Sequence, residues 1–90
     1  MLIRDLLCEM GFEDSLVFDS PEFDNAIVGV TEDSRVVYDF NKMVALMVER
    51  DNVSESEAIE FIEYNTIRSI PYAGELAPTI MYPIEGWSND

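Results

Sequence analysis

Two β-branched runs held three residues apart limit what this chain can fold into. "AIVGVT" (residues 26–31) and "RVVYDF" (residues 35–40) are separated by Glu32-Asp33-Ser34. Runs rich in valine and isoleucine favour extended backbone, and a three-residue polar break between two of them is the spacing of a β-hairpin. Alternation places Ile27, Gly29 and Thr31 on one face of the first strand and Val28 and Val30 on the other.

Beyond the hairpin the pattern turns helical. Asp39 and Asn41 are both suitable N-caps for a helix ending near Arg50, with Phe40, Met43, Val44, Met47 and Val48 as its inward stripe. "RDN" closes it. Ser54 opens a further helix, and Glu57 three residues later completes a capping box, in which each side chain can satisfy an orphan amide of the first turn. This helix is expected to reach about Ile70, because the residue before Pro71 is pushed out of the α region. "TIMY" (residues 79–82) reads as a last strand ended by Pro83, and residues 84–90 as a loose tail. Before the hairpin, Leu2, Ile3, Leu6, Leu7 and Met10 form the apolar side of a short helix stopped at Gly11. Leu16, Val17 and Phe18 read as a short strand broken at Ser20-Pro21. The order α-(β)-β-β-α-α-β predicts one α+β domain over residues 1–83. Its sheet has three or four mainly antiparallel strands, with about three helices packed on one face.

Charge narrows the function. The 90 residues carry 19 acids against 5 bases and no histidine, a formal charge of −14. Phosphate attraction needs lysine and arginine, so direct binding to nucleic acid or anionic lipid is disfavoured, and basic protein surfaces become the natural partners. The signs are also segregated. Glu13, Asp14, Asp19, Glu22, Asp24, Glu32 and Asp33 succeed one another without a base, as do Asp51, Glu55, Glu57, Glu60 and Glu63. Such one-signed stretches steer a basic partner over long range. The opening "MLIRDLLCEMGFED", broken by Asp5 and Glu9, does not read as a signal peptide or a membrane span. With Cys8 the lone cysteine, this points to the cytoplasm.

The inventory leaves little for catalysis. Without histidine there is no Ser-His or Cys-His pair and no imidazole metal site, and neither a GxGxxG nor a Walker loop occurs. No acid pair has distinguishing spacing, so no catalytic residue and no cofactor is assigned. Cys8 has no cation or histidine nearby in sequence to activate it and reads as a small residue at a helix edge. Asp19, Glu22 and Asp24 lack the glycine and the closing glutamate of a calcium loop and read as solvated acids, so no metal is assigned.

The segment "EFIEYNTIRSIPYAGELAP" (residues 60–78) is the densest in the chain. At about 100° per residue, Ala58, Ile59, Ile62, Thr66 and Ser69 face the core, with Asn65 beside them. Tyr64 and Ile67 then fall among Glu57, Glu60 and Glu63. Asn65, if buried, needs backbone partners, most simply in the loop after Pro71. Either residues 72–76 fold back over Tyr64 and Ile67, or these two form an interface anchor with a polar rim.

Residues 22–82 resemble a family of small acidic proteins of phages and prophages. The resemblance rests on Glu60-Phe61-Ile62-x-Tyr64-Asn65-Thr66-Ile67-Arg68, then Pro71-Tyr72-x-Gly74 and Ala77-Pro78. It carries over no catalytic residue. It implies a mobile-element origin and a role against host machinery. On this reading the chain is an inhibitor or nucleic-acid mimic that docks on a basic host protein, such as a DNA-binding or defence enzyme. Glu57, Glu60, Glu63, Asp19, Glu22 and Asp24 supply the field, and Tyr64 and Ile67 the anchor. The alternative is a structural phage protein that self-associates as a homodimer through the hairpin edge or the Tyr64–Ile67 patch.

Overall fold

The computed structural model describes residues 2–18 and 21–84. Helix α1 (Ile3–Glu9) leads through an irregular segment to a 3-10 helix (Pro21–Ala26). Strands β1 (Ile27–Val30) and β2 (Val36–Asp39) come next, then helices α2 (Phe40–Asp51) and α3 (Glu55–Phe61). The last helix continues as a π segment (Ile62–Thr66) and a 3-10 segment (Ile67–Tyr72) before strand β3 (Thr79–Met81). The fold is α+β, with a three-stranded sheet in the order β1-β2-β3.

The hairpin forms where the spacing predicts it. Ser34 N donates to Thr31 O at 3.0 Å, Thr31 N to Arg35 O at 2.8 Å and Arg35 N to Thr31 Oγ1 at 3.0 Å. Ser34 sits in the left-handed region at φ 67°. This is the three-residue loop whose last member must turn left-handed to match the twist of the strands. The simple alternation fails in β1. Ile27 pairs with Tyr38 but Gly29 with Val37, so Val28 is an extra residue in the ladder. That bulge resets the pleat, and Ile27 and Val30, not Ile27 and Gly29, pack against the core. Val28 is left exposed.

β3 pairs with β2 in parallel, Val37 with Thr79 and Asp39 with Met81, so the sheet is mixed instead of mainly antiparallel. Two helices separate these strands, and a crossover that long removes the constraint that a tight turn would impose. Arg35 ties the entry of β3 down by donating from Nε to Ala77 O at 3.0 Å and from Nη2 to Pro78 O at 3.3 Å.

Val36 and Tyr38, on one face of β2, are fully buried with Met43, Ile62, Ala26 and Ala58. Leu7, Phe23, Phe40, Val44 and Met47 complete this core. Asp39 is the N-cap of α2, its carboxylate accepting from Lys42 N at 3.1 Å, and Asn52 ends the helix at φ 54°. Residues 16–18 are not a strand. Their amides bond elsewhere, Leu16 N to Leu76 O and Phe18 N to the Tyr38 hydroxyl, both at 3.1 Å. The Phe18 ring lies 4.6 Å from that of Tyr38. In α1 only Leu7 is buried, while Leu2, Leu6 and Met10 are exposed, so the apolar side read from the sequence is wider than the face that packs. Among the described residues no helix is long and apolar enough to cross a membrane.

Candidate functional site

The outer face of α3 is the candidate interface. Ser54 Oγ accepts from Glu57 N at 3.1 Å and donates to Glu57 Oε1 at 3.2 Å, so the serine half of the expected capping box forms, while the Glu57 carboxylate meets the Ser54 hydroxyl and not its amide. Ala58 and Ile62 then point inward and are fully buried. Glu57, Glu60, Phe61, Tyr64 and Asn65 line an open hollow of about 320 Å³ on the opposite side. Phe61 is 48% exposed and Tyr64 66%. Glu57, Glu60 and Glu63 are exposed, and none of them is in an ion pair among the described residues.

The segment after Phe61 departs from the even helix expected to reach Ile70. Ile67 N donates to Ile62 O, a five-residue step. A π turn inserts one residue into the helical phase, so later positions rotate by about one residue's turn, roughly 100°. Ile67 therefore takes the inward place expected of Thr66 and packs against the core. Ser69, expected inward, is exposed. Ile67 thus does not stand beside Tyr64 as an exposed anchor. Phe61 does, and its wheel position next to Glu57 carries that signal in the sequence. Pro71 does not end the helical run, which tightens to 3-10 geometry and passes through it to Tyr72.

Asn65 is exposed, and its Nδ2 donates to Phe61 O at 3.2 Å, one turn back. It is not buried and does not bond the loop after Pro71. That loop does not cover Tyr64 either. Tyr72 is 89% exposed and lines, with Leu16, Phe18 and Pro78, a different hollow that shares no residue with the one at Tyr64. What lies over Tyr64 is Arg68, its guanidinium carbon 4.9 Å from the ring centroid. The positive group stacks on the negative face of the ring.

The second acidic group is arranged differently. Asp24 is clamped by Arg4, from Nε at 2.9 Å and Nη2 at 3.0 Å, while Nη2 also donates to Phe18 O at 2.9 Å. Glu22 pairs with Arg50. Arg50 also bonds Asp51 at 2.8 and 2.6 Å, and this contact holds the Asp51 carboxyl below its ordinary range. The two acid-rich stretches therefore meet at the Arg50 guanidinium, through Glu22 and Asp51, while Asp24 is held separately by Arg4, so both Glu22 and Asp24 are partners of arginines. Asp19 lies outside the described residues. Among the described residues no three cysteine or carboxylate side chains converge as a metal site needs, and Cys8 is exposed.

In comparisons with known proteins, no family model, no curated protein and no solved structure matches this chain.

Proposed function

We propose that this chain is an acidic protein-binding module that docks on a basic protein surface, of the kind a nucleic-acid-binding host enzyme presents to phosphate. The observation that supports this reading is the α3 face: two exposed aromatic rings, Phe61 and Tyr64, share one hollow with Glu57 and Glu60, and these carboxylates and the exposed Glu63 lie outside any described ion pair. Aromatic anchors with a polar rim are where binding energy concentrates, and each well-buried anchor contributes about 2 kcal/mol or more. The carboxylates, within a net charge of −14, add long-range steering toward positive surfaces. In this mode the chain inhibits by occupying the partner's phosphate-binding face.

The test is capture of basic nucleic-acid-binding proteins on immobilised chain at about 50 and 500 mM salt, conditions that bracket a Debye length of roughly 10 Å. Capture should fall steeply with salt, be displaced by duplex DNA, and be lost in Phe61→Ala/Tyr64→Ala. Capture indifferent to salt and to DNA sinks the reading. A second reading, self-association, is favoured by the β1 edge and by Leu2, Leu6 and Met10 exposed on α1. Sedimentation equilibrium at rising concentration decides it, since a strict monomer removes the homodimer.

A further inference from the structure

A second surface lies on the other flank of α3. Phe40, Val44, Ala45 and Val48 of α2 and Ile59 of α3 line an open groove of about 460 Å³, with Glu49 and Glu55 at its rim. Phe40 and Val44 are only 7% exposed and contribute little surface, Phe40 being packed against the Tyr82 ring at 4.9 Å between centroids, so the accessible apolar lining comes mainly from Ala45, Val48 and Ile59. Ala45 is exposed, and its small side chain lets another backbone approach closely. Neither rim glutamate is in an ion pair among the described residues.

We infer that this groove takes an amphipathic helix of a partner protein, whose apolar side chains enter between α2 and α3 and whose flanking lysines or arginines meet Glu49 and Glu55. The shape argues for a helix, because two packed helices leave a furrow into which a third sets its ridge of side chains. The charge argues for a basic one. A second copy of this chain would bring a further net charge of −14 and its own glutamates against the same rim, so the occupant is a different protein. The groove is distinct from the Phe61–Tyr64 face. It belongs to the flank carrying Ile59, whereas Glu57, Glu60 and Phe61 belong to the outer one.

Fluorescence anisotropy tests this with two labelled peptides of about 18 residues, long enough to be helical when bound. One has leucine and lysine at helical spacing, and the other has the same lysines with serine replacing every leucine. At about 150 mM salt the leucine peptide should bind roughly tenfold tighter or more, since equal lysines share the screened charge term. Ala45→Arg, which puts bulk and positive charge in the groove mouth, should weaken it about tenfold. The triple change Glu57→Gln/Glu60→Gln/Glu63→Gln should alter it by less than about threefold, because those residues lie on the other face. Far-UV circular dichroism checks that each variant folds. Should Ala45→Arg not fold, Glu49→Gln/Glu55→Gln reads the same rim. Equal binding of the two peptides, no binding, or indifference to the groove variants overturns the inference. A loss that tracks the triple change instead moves the binding to the outer α3 face and overturns it equally.

Discussion

Replacing Tyr38 with phenylalanine isolates one part-buried hydrogen bond. Tyr38 has no exposed surface, and its hydroxyl accepts from Phe18 N at 3.1 Å. The substitution keeps the ring, its contact with Phe18 and nearly all its volume, so no cavity term enters. What is lost is the acceptor, and the part-buried Phe18 amide is left without it. An orphaned amide of this kind costs about 1–2 kcal/mol. A loss of about 1.5 kcal/mol lowers Tm by roughly 6–12 °C in a domain this small. Thermal and urea melts at neutral pH measure it, and faster hydrogen exchange at the Phe18 amide places the effect. The pH dependence provides a second check. Burial raises the Tyr38 phenol above its ordinary value of 10.0. A raised folded-state value means that the unfolded chain releases this proton first. Stability from this group is therefore complete below about pH 10 and is lost as pH rises through the folded value. The gap between wild type and Tyr38→Phe should narrow above pH 10, and self-repulsion cancels because both proteins carry the same other charges. A variant within about 0.3 kcal/mol of wild type, with the Phe18 amide still protected, would rule out this role for the hydroxyl, since the amide would then have another partner.

Two further changes test the local geometry. Ser34→Gly should stabilise the hairpin by up to about 1 kcal/mol, because φ 67° strains any residue with a Cβ; a fall in Tm would show that the Ser34 side chain contributes more than its backbone strain. Ser54→Ala removes the oxygen that caps Glu57 N and should cost about 1 kcal/mol in a urea melt; an unchanged midpoint would show that the cap contributes nothing to the fold.

The Ser54 cap of Glu57 N, the Asp39 cap and the hairpin loop were legible because each is a contact between near neighbours in the chain. The acidic half of the candidate face was legible for a similar reason, since Glu57 and Glu60 lie outside a helix whose inward residues, Ala58 and Ile62, are plainly apolar. Its aromatic half was only half read. Tyr64 stands where the wheel put it, but Ile67 turns inward at the π segment and Phe61 takes its place. An insertion of one residue in helical phase leaves no mark in a period of 3.6, because the hydrogen bond that creates it depends on what the segment packs against.

The amino-acid order alone determined the α+β class, the hairpin, the starts of α2 and α3 and the excess of negative charge. Tertiary packing decided the parallel pairing of β3, the bulge at Val28, the fate of residues 16–18 and the partners of the acids. Glu22 and Asp24 read like Glu57 and Glu60 along the chain. Only the fold brings Arg50 and Arg4 to the first pair while leaving the second outside any described ion pair. The difference is one of range. Caps and turns are settled within a few residues, whereas a strand's direction or a charge's neighbour depends on segments far apart in sequence, brought together when the core closes.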